Sequence, residues 1–293
     1  MNIQKSFSDA ASEERGSLYL VATPIGNLED MTFRAIRTLK EVQLIAAEDT
    51  RQTRKLLTHF DIGTRIVSYH EHNKRASGPE LIRLLLEGQS IALVSDAGLP
   101  AISDPGADLV KDAIENNIAV IPVPGANAAL SALIISGLPT ERFLFAGFPP
   151  REKKSLTKWL LDMQGQRGTL LFYESPHRII KTLAVLQECL GDRQIACVRE
   201  LTKRHEEAVR GNVTECMEWF AEHPPLGEFC IVVEGADGIG ASDQPHNELW
   251  WSELDLATHV AHYEEQHDRK EAIKRVALDR GLPKRDVYNE VNR

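Results

Sequence analysis

Residues 91–106 read IALVSDAGLPAISDPG. A short apolar run, 91–95, leads into a loop carrying Asp96, Gly98, Pro100, Asp104, Pro105 and Gly106. Such a run bounded by turn residues is the pattern of a strand buried on both faces, as in a parallel sheet. The same order recurs on either side of it. SLYLVA (17–22) runs into TPIGNLEDMT, and IAVIPV (118–123) runs into PGANAALSALI, whose apolar residues surround the helix and predict that it is buried. Strand, Gly/Pro/Asp loop and helix in alternation specify α/β structure with a largely parallel sheet for the first half of the chain.

A second series follows GLPTERFLFAGFPPRE (137–152), where Pro139, Gly147, Pro149 and Pro150 punctuate the chain and mark an inter-domain connection. TLLFYE (169–174), QIACVRE (194–200) and EFCIVVEG (228–235) read as strands. RIIKTLAVLQECL places Ile179, Ile180, Leu183, Leu186 and Leu190 at helical spacing. DGIGASDQPHN (237–247) has the composition of a linker. Beyond it, Ala272, Ile273, Val276 and Ala277 share a helical face, Gly281 and Pro283 stop and restart the chain, and Val287, Tyr288 and Val291 follow, a helix-turn-helix outline. The predicted division is a loose leader at 1–16, α/β domains at 17–140 and 141–236, the linker, and a helical domain at 248–293.

At 293 residues and 42% hydrophobic content the chain exceeds what one core organises, consistent with that division. No uncharged apolar run reaches membrane-spanning length, and Asp9, Glu13 and Glu14 break up the leader, so a cytoplasmic protein without membrane contact is expected. Cys189, Cys197, Cys216 and Cys230 lack C-x-x-C spacing and read as buried reduced thiols. His70 with His72, and His259 with His262, could each share a face of a strand and a helix, but a third ligand at suitable spacing is missing and no metal is expected. A net charge of -9 argues against DNA as a partner, although a global sum conceals local basic surface.

Loops at the carboxyl ends of strands converge in open α/β sheets and present free N–H groups to ligands. Pro24, Gly26, Ser95, Asp96, Gly98, Asp104, Gly106, Pro124 and Gly125 are candidates for one such pocket. Neither G-x-G-x-x-G nor G-x-x-x-x-G-K-[ST] occurs in these loops, so the ligand carries little or no phosphate and a nicotinamide dehydrogenase is disfavoured.

ATPIGNLEDMT, AAEDTRQTRKLL, VSDAGLPAISDPG, VPGANAALSAL, FYESPHRI and RELTKRHEE, in this order, resemble the tetrapyrrole methylase superfamily and, within it, the ribosomal RNA small subunit methyltransferase I branch. The resemblance implies two α/β domains with S-adenosylmethionine in the cleft between them and a homodimer. It implies methylation of the ribose 2'-hydroxyl of a decoding-centre cytidine in 16S rRNA. Carried over by position, Pro24, Ser95, Asp96, Ala97, Gly98, Ile102, Ser103 and Tyr173 would hold the cofactor. The superfamily generally opens with Gly-x-Gly-Pro-Gly and has Gly-Asp-Pro in its second loop. Ala22-Thr23-Pro24-Ile25-Gly26 and Ser95-Asp96-Ala97 depart from that, which counts against a porphyrin-like acceptor.

Sulfonium methyl transfer needs no metal, only an acceptor in line and a group that handles its proton. Candidates are Glu48, Asp49, Glu174, His177, Arg199, Glu200 and Lys203; equally, Glu48 and Asp49 could cap a helix, Ser175 could cap the helix after Pro176, and Arg199 could pair with a carboxylate. The residues do not choose among these. An rRNA partner requires basic surface. Arg151, Lys153, Lys154 and Lys158 offer one patch, and Arg269, Lys270, Lys274, Arg275, Arg280, Lys284 and Arg285 another, suited to an assembled small subunit read by shape. The competing readings are methylation of a porphyrin-like small molecule and a noncatalytic ribosome-associated RNA-binding protein.

Overall fold

The computed structural model describes residues 3–4, 15–236, 254–264, 267–280 and 282–291. It divides into two compact units, 1–239 and 240–293. The predicted linker at 237–247 and most of the predicted leader lie outside the described residues. Where the leader is described, the Gln4 side chain accepts from Val120 N (2.8 Å) and donates to Val120 O (2.9 Å), satisfying backbone groups of an edge strand.

The larger unit contains two five-stranded sheets. In the first, β1 (Ser17–Val21), β2 (Leu44–Ala47), β3 (Ile66–Ser68), β4 (Ile91–Val94) and β5 (Ala119–Val123) lie in the order β3-β2-β4-β1-β5, all parallel. The apolar runs behave as expected: every residue of β2 and β4 is buried. On one face pack α1 (Phe33–Glu41) and α2 (Thr50–His59), through Ala35, Leu39 and Leu57; on the other pack α3 (Lys74–Leu86) and α4 (Ala107–Glu115), through Leu81, Leu85 and Leu109. Polar caps fix the helix starts: Thr32 Oγ1 accepts from Ala35 N and Asp49 Oδ1 from Arg51 N.

The second sheet departs from a parallel pattern. β6 (Phe143–Phe145) runs parallel to β7 (Thr169–Glu174), whereas β10 (Phe229–Val233) is antiparallel to both β7 and β8 (Gln194–Arg199), and β9 (Glu207–Asn212) is antiparallel to β8. The fully buried β10 sits at its centre. One of its faces packs on α6 (Lys153–Leu161), α7 (Ile179–Leu190) and α8 (Val213–Glu222), with Ile180 of α7 exposed rather than in the core. The other face takes α5 (Ala128–Ser136), which leaves the end of β5 but packs Ala129, Ala132 and Leu133 against Leu171, Val198 and Val232. Because α5 follows a strand of one sheet and buries itself on the other, it ties both sheets into one unit. It is not buried all round, however: Leu130 and Ile134 are exposed, 46% and 75%. An apolar circumference does not reveal which side finds a partner.

The smaller unit contains α9 (Leu256–Glu264), α10 (Arg269–Asp279) and α11 (Lys284–Val291). Its core joins Val260, Ala272, Ile273, Val276, Ala277 and Val287, the predicted face among them, while Tyr288 is exposed. His259 is buried, with Arg280 Nε donating to its Nδ1 (3.1 Å) and Asp279 Oδ2 3.3 Å from its Nε2.

Candidate active site

A cleft of about 370 Å³ opens in the larger unit where loops of the two sheets face one another. The first sheet supplies Ile25, Glu48, Asn127 and the loop residues Asp96, Ala97, Gly98, Leu99, Ile102, Ser103 and Asp104. The second supplies Phe148, Tyr173, Val198, Glu200, Leu201, Lys203, Glu228 and Cys230. Each contribution from the first sheet stands at a strand's carboxyl end, where a parallel sheet gathers its loops.

The loops of the first sheet are laced together. Thr23 N donates to Gly98 O (2.9 Å), Gly98 N returns the bond to Thr23 O (3.0 Å), and Thr23 Oγ1 donates to Ser95 O (3.2 Å). Gly98 has φ +78°, and beyond it Ala101 (+69°) and Ser103 (+62°) hold the left-handed conformation without being glycine. Facing them, Glu200 (+51°) and Thr202 (+64°) do the same in the loop after β8. Four of the six such residues among the described ones therefore lie in the two loops that border the cleft, the distribution expected where strain preorganises a site.

Carboxylates line both sides of the cleft; Glu48, Asp96 and Asp104 of the first sheet have no cation beside them in the lining, whereas on the second, which also carries Glu228, Lys203 pairs with Glu200. Burial, then Asp104 and Asp96, raise the carboxyl of Glu48 above the ordinary carboxylate range. Burial likewise raises Asp104, opposed by the nearby Ser95 hydroxyl and supported by Asp96. Asp96 Oδ1 accepts from Asp49 N (3.1 Å), which holds it at the rim. On the facing side, burial pushes the Tyr173 phenol up to about 12, and its ring packs edge-on against Phe145 (5.0 Å) and tilted against Phe148 (5.4 Å). Lys203 is the one cation among the described lining residues, and Glu200 already accepts from it at 3.0 Å, an interaction that lowers the Glu200 carboxyl. Crowded, partly desolvated carboxylates opposite aromatic and aliphatic surface fit a cationic ligand with a flat apolar part.

Residues 17–216 match the tetrapyrrole (corrin/porphyrin) methylase family. The chain belongs to that family. The methylase is 57% identical over 290 residues to the ribosomal RNA small subunit methyltransferase I of Halalkalibacterium halodurans, covering 99% of this chain and 98% of that one. It is 52% identical over 288 residues to the protein of the same name from Bacillus subtilis, covering 98% of each. A crystal structure of diphthine synthase superposes with a TM-score of 0.58 at 13% identity, covering 75% of this chain and 90% of that one, which shows a shared fold. The cofactor of the methylase is S-adenosylmethionine.

Of the residues that the sequence marks for the cofactor, Asp96, Ala97, Gly98, Ile102, Ser103 and Tyr173 line the cleft. Pro24 and Ser95 do not; Ser95 is buried behind the loop, its Oγ donating to Ala97 O (3.3 Å), and Ile25 presents the surface expected of Pro24. Among the candidates for chemistry, Glu48, Glu200 and Lys203 line it. Glu174 borders it too, but its carboxylate is buried and bound by Thr182 Oγ1 (2.6 Å) and Ser175 N (2.7 Å), with Arg178 at 3.3 Å, an anchor for α7. Three stand away from the cleft. Asp49 caps α2 and pairs with Arg51, which lowers its carboxyl to about 2. His177 is exposed in the turn before α7, and Arg199 fastens β8 to its neighbours through Glu207 (2.6 Å) and Leu226 O (3.1 Å).

Sequence reasoning did not single out Ile25, Asn127, Phe148, Val198, Leu201 or Cys230, ordinary apolar or capping residues that only the facing of two sheets brings together. His70 and His72 lie in the turn after β3, not on a strand face, with ring centroids 5.9 Å apart. Among the described residues, no group of three metal-ligating side chains occurs. Cys189, Cys197, Cys216 and Cys230 are free and buried.

Of the basic residues, Arg151, Lys153 and Lys154 are exposed around the start of α6, Lys153 pairing with Glu188. Within the helical unit Lys274 pairs with Glu271, and Arg275 lies over the Tyr263 ring. Lys284 and Arg285 line a shallow groove with Arg269, Lys270, Ile273 and Tyr288.

Proposed function

We propose that this methylase methylates small-subunit ribosomal RNA, at the ribose 2'-hydroxyl of a decoding-centre cytidine. The observation carrying the proposal is the 57% identity that extends over 99% of the chain to a small-subunit rRNA methyltransferase. The departure of the first two loops from the porphyrin-enzyme pattern supports the same acceptor class.

Bound in the cleft, S-adenosylmethionine supplies an electrophilic methyl carbon on a cationic sulfonium. Glu48, Asp96 and Asp104 provide the opposing charge. Phe148, Tyr173, Val198 and Leu201 exclude water and give the adenine a surface to pack on. The acceptor hydroxyl must lose its proton as the carbon–oxygen bond forms. Glu48, raised by burial and by its acidic neighbours, is a stronger base than an ordinary carboxylate and takes that role. Lys203, poised with Glu200 at the opposite side, faces a substrate phosphate.

Arg151, Lys153 and Lys154, together with Lys274, Arg275, Lys284 and Arg285, add phosphate contacts in this reading. The two sheets act as the halves 17–140 and 141–236 of a homodimeric, cytoplasmic enzyme; no helix among the described residues is long and apolar enough to cross a membrane.

The test is transfer of labelled methyl from S-adenosylmethionine to small ribosomal subunits lacking native methylation, with free 16S rRNA and a porphyrin precursor alongside. Label in 2'-O-methylcytidine is expected. Label in the porphyrin overturns the acceptor while keeping the cleft, and absence of label from every acceptor overturns the enzymatic reading.

A further inference from the structure

The helices α1 and α2 carry six Lys or Arg against a single Glu, in a chain whose net charge is -9. Both pack on one face of the parallel sheet, contributing Ala35, Leu39 and Leu57 to the same core. Their buried positions fix which side chains point outward, so Arg37, Lys40, Arg51, Arg54 and Lys55 are all exposed. Arg51 is paired with Asp49, whereas Arg37, Lys40, Arg54 and Lys55 make no ion pair among the described residues. Contrast α8, which presents Glu215, Glu218 and Glu222 and has no Lys or Arg. The excess of basic residues on α1 and α2 is therefore a local feature of an acidic chain.

At the first position of α1 stands Phe33, 94% exposed, the highest value among the large hydrophobic side chains of the described residues. A single exposed apolar residue needs no explanation by itself. This one projects from the start of a helix that follows a parallel strand, and hence at the edge of the sheet where the cleft opens. Two connections lead from the cleft to these helices. Ile25, in the loop leading to α1, lines the cleft, and so does Glu48, immediately before the Asp49 cap of α2. An aromatic face beside unpaired cations is the combination that holds single-stranded nucleic acid, bases stacking while phosphates are neutralised.

We propose that the outer face of α1 and α2 is the docking surface for the single-stranded RNA flanking the target nucleotide, with Phe33 as a stacking platform and Arg37, Arg54 and Lys55 as phosphate contacts. This rests on the RNA reading of the cleft and extends it: the substrate strand enters along these helices, which carry a basic surface distinct from the α6 patch.

Four forms of the full chain test it: the wild type, R37E/R54E, the charge-matched control R75E/K111E on the opposite face of the same sheet, and Phe33→Ala. Arg75 and Lys111 are exposed on α3 and α4, so the control changes net charge equally. S-adenosylmethionine affinity is measured by calorimetry, and binding to protein-free 16S rRNA and to small subunits by filter binding across a salt series. R37E/R54E is expected to lose at least tenfold in affinity for both RNA forms and to flatten the salt dependence by roughly 1 to 2 units of logarithmic slope. R75E/K111E should change less than threefold, and all forms should bind cofactor alike. Phe33→Ala should weaken RNA binding by roughly tenfold with the salt slope unchanged.

Equal losses in both double variants would overturn the surface, leaving only a net-charge effect. Loss confined to assembled subunits, with free rRNA bound normally, would overturn RNA in favour of an acidic ribosomal protein as the occupant. An unchanged Phe33→Ala overturns the stacking platform. A wild type that binds cofactor but neither binds nor methylates rRNA sinks the functional reading itself, an outcome distinguishable from failure of this surface alone.

Discussion

The two sides of the cleft are built by different means. The side from the parallel sheet consists of loops, hydrogen-bonded to one another across Thr23 and Gly98, and it concentrates Glu48, Asp96 and Asp104. The side from the mixed sheet uses strand ends and their aromatic neighbours, with Tyr173 on β7, Val198 on β8 and Cys230 on β10, and its one cation is engaged by Glu200. Parallel strands gather loops at one edge, which suits polar groups needing several backbone partners; strand ends offer flat, packed surface. A ligand that is cationic at one part and aromatic at another can use both at once.

The largest effect should come from removing charge on the acidic side. The double variant Glu48→Gln with Asp104→Asn is expected to weaken S-adenosylmethionine binding about 100-fold, roughly 2.7 kcal/mol. Because both carboxyls are raised in the fold, their ionisation opposes folding, so the same variant should melt at a higher temperature without cofactor. Calorimetry and thermal denaturation check the pair of results. Tighter or unchanged cofactor binding would show that these carboxylates do not face the cation.

The pH dependence sharpens this with two opposite signs. Between the ordinary carboxylate range and the raised values of Glu48 and Asp104, the folded protein holds more protons than the unfolded chain, so their contribution to stability increases as pH falls through that window. Over the same window cofactor affinity should decline severalfold, since protonation removes the charge that attracts the sulfonium. Both dependences should flatten in the double variant. If affinity and stability instead move together with pH, the acidic side acts structurally.

On the apolar side, Tyr173→Ala should cost about tenfold in cofactor affinity, the scale of a lost aromatic contact, with circular dichroism unchanged. Tyr173→Phe should retain nearly all of it, because the ring that packs against Phe145 and Phe148 is kept. A large loss in the Phe variant would mean that the hydroxyl, not the ring, is what binds.

How legible these two sides are in sequence differs for the same reason. The acidic side is written in contiguous segments: the 95–104 stretch, with its Asp and Gly residues, follows directly on an unmistakable strand, and most of its residues reach the cleft. The apolar side is assembled from residues such as Phe148, Val198 and Cys230, scattered along the chain and indistinguishable there from core. Short strands escaped for a related reason. β3 and β6 span three residues each, too few for periodicity, and β9 (EAVRGN) alternates weakly at a sheet edge. His177 and Arg199 looked chemical by residue type, but side-chain direction, which spacing does not encode, turns Arg199 to Glu207 and leaves His177 in solvent.

The smallest effect is expected where the two sides touch. A Cβ on Gly26, in the first loop, would overlap Lys203 Cγ and stand 3.1 Å from Leu201 O, both from the loop after β8. Gly26→Ala therefore cannot leave Lys203 where it is. The closest obstacle is Lys203 Cγ, near the root of that side chain, with a backbone oxygen close behind it, so relief requires Lys203 to change its first side-chain torsion and its 3.0 Å bond to Glu200 is lost. Cofactor affinity should change less than twofold, while kcat/KM for methyl transfer to ribosomal subunits should fall about threefold, within the range of a partly exposed ion pair. A loss of 100-fold or more would mean that the crossing of Lys203 over Gly26 sets the spacing of the two sides, and that the acidic and apolar halves cannot be treated as independent.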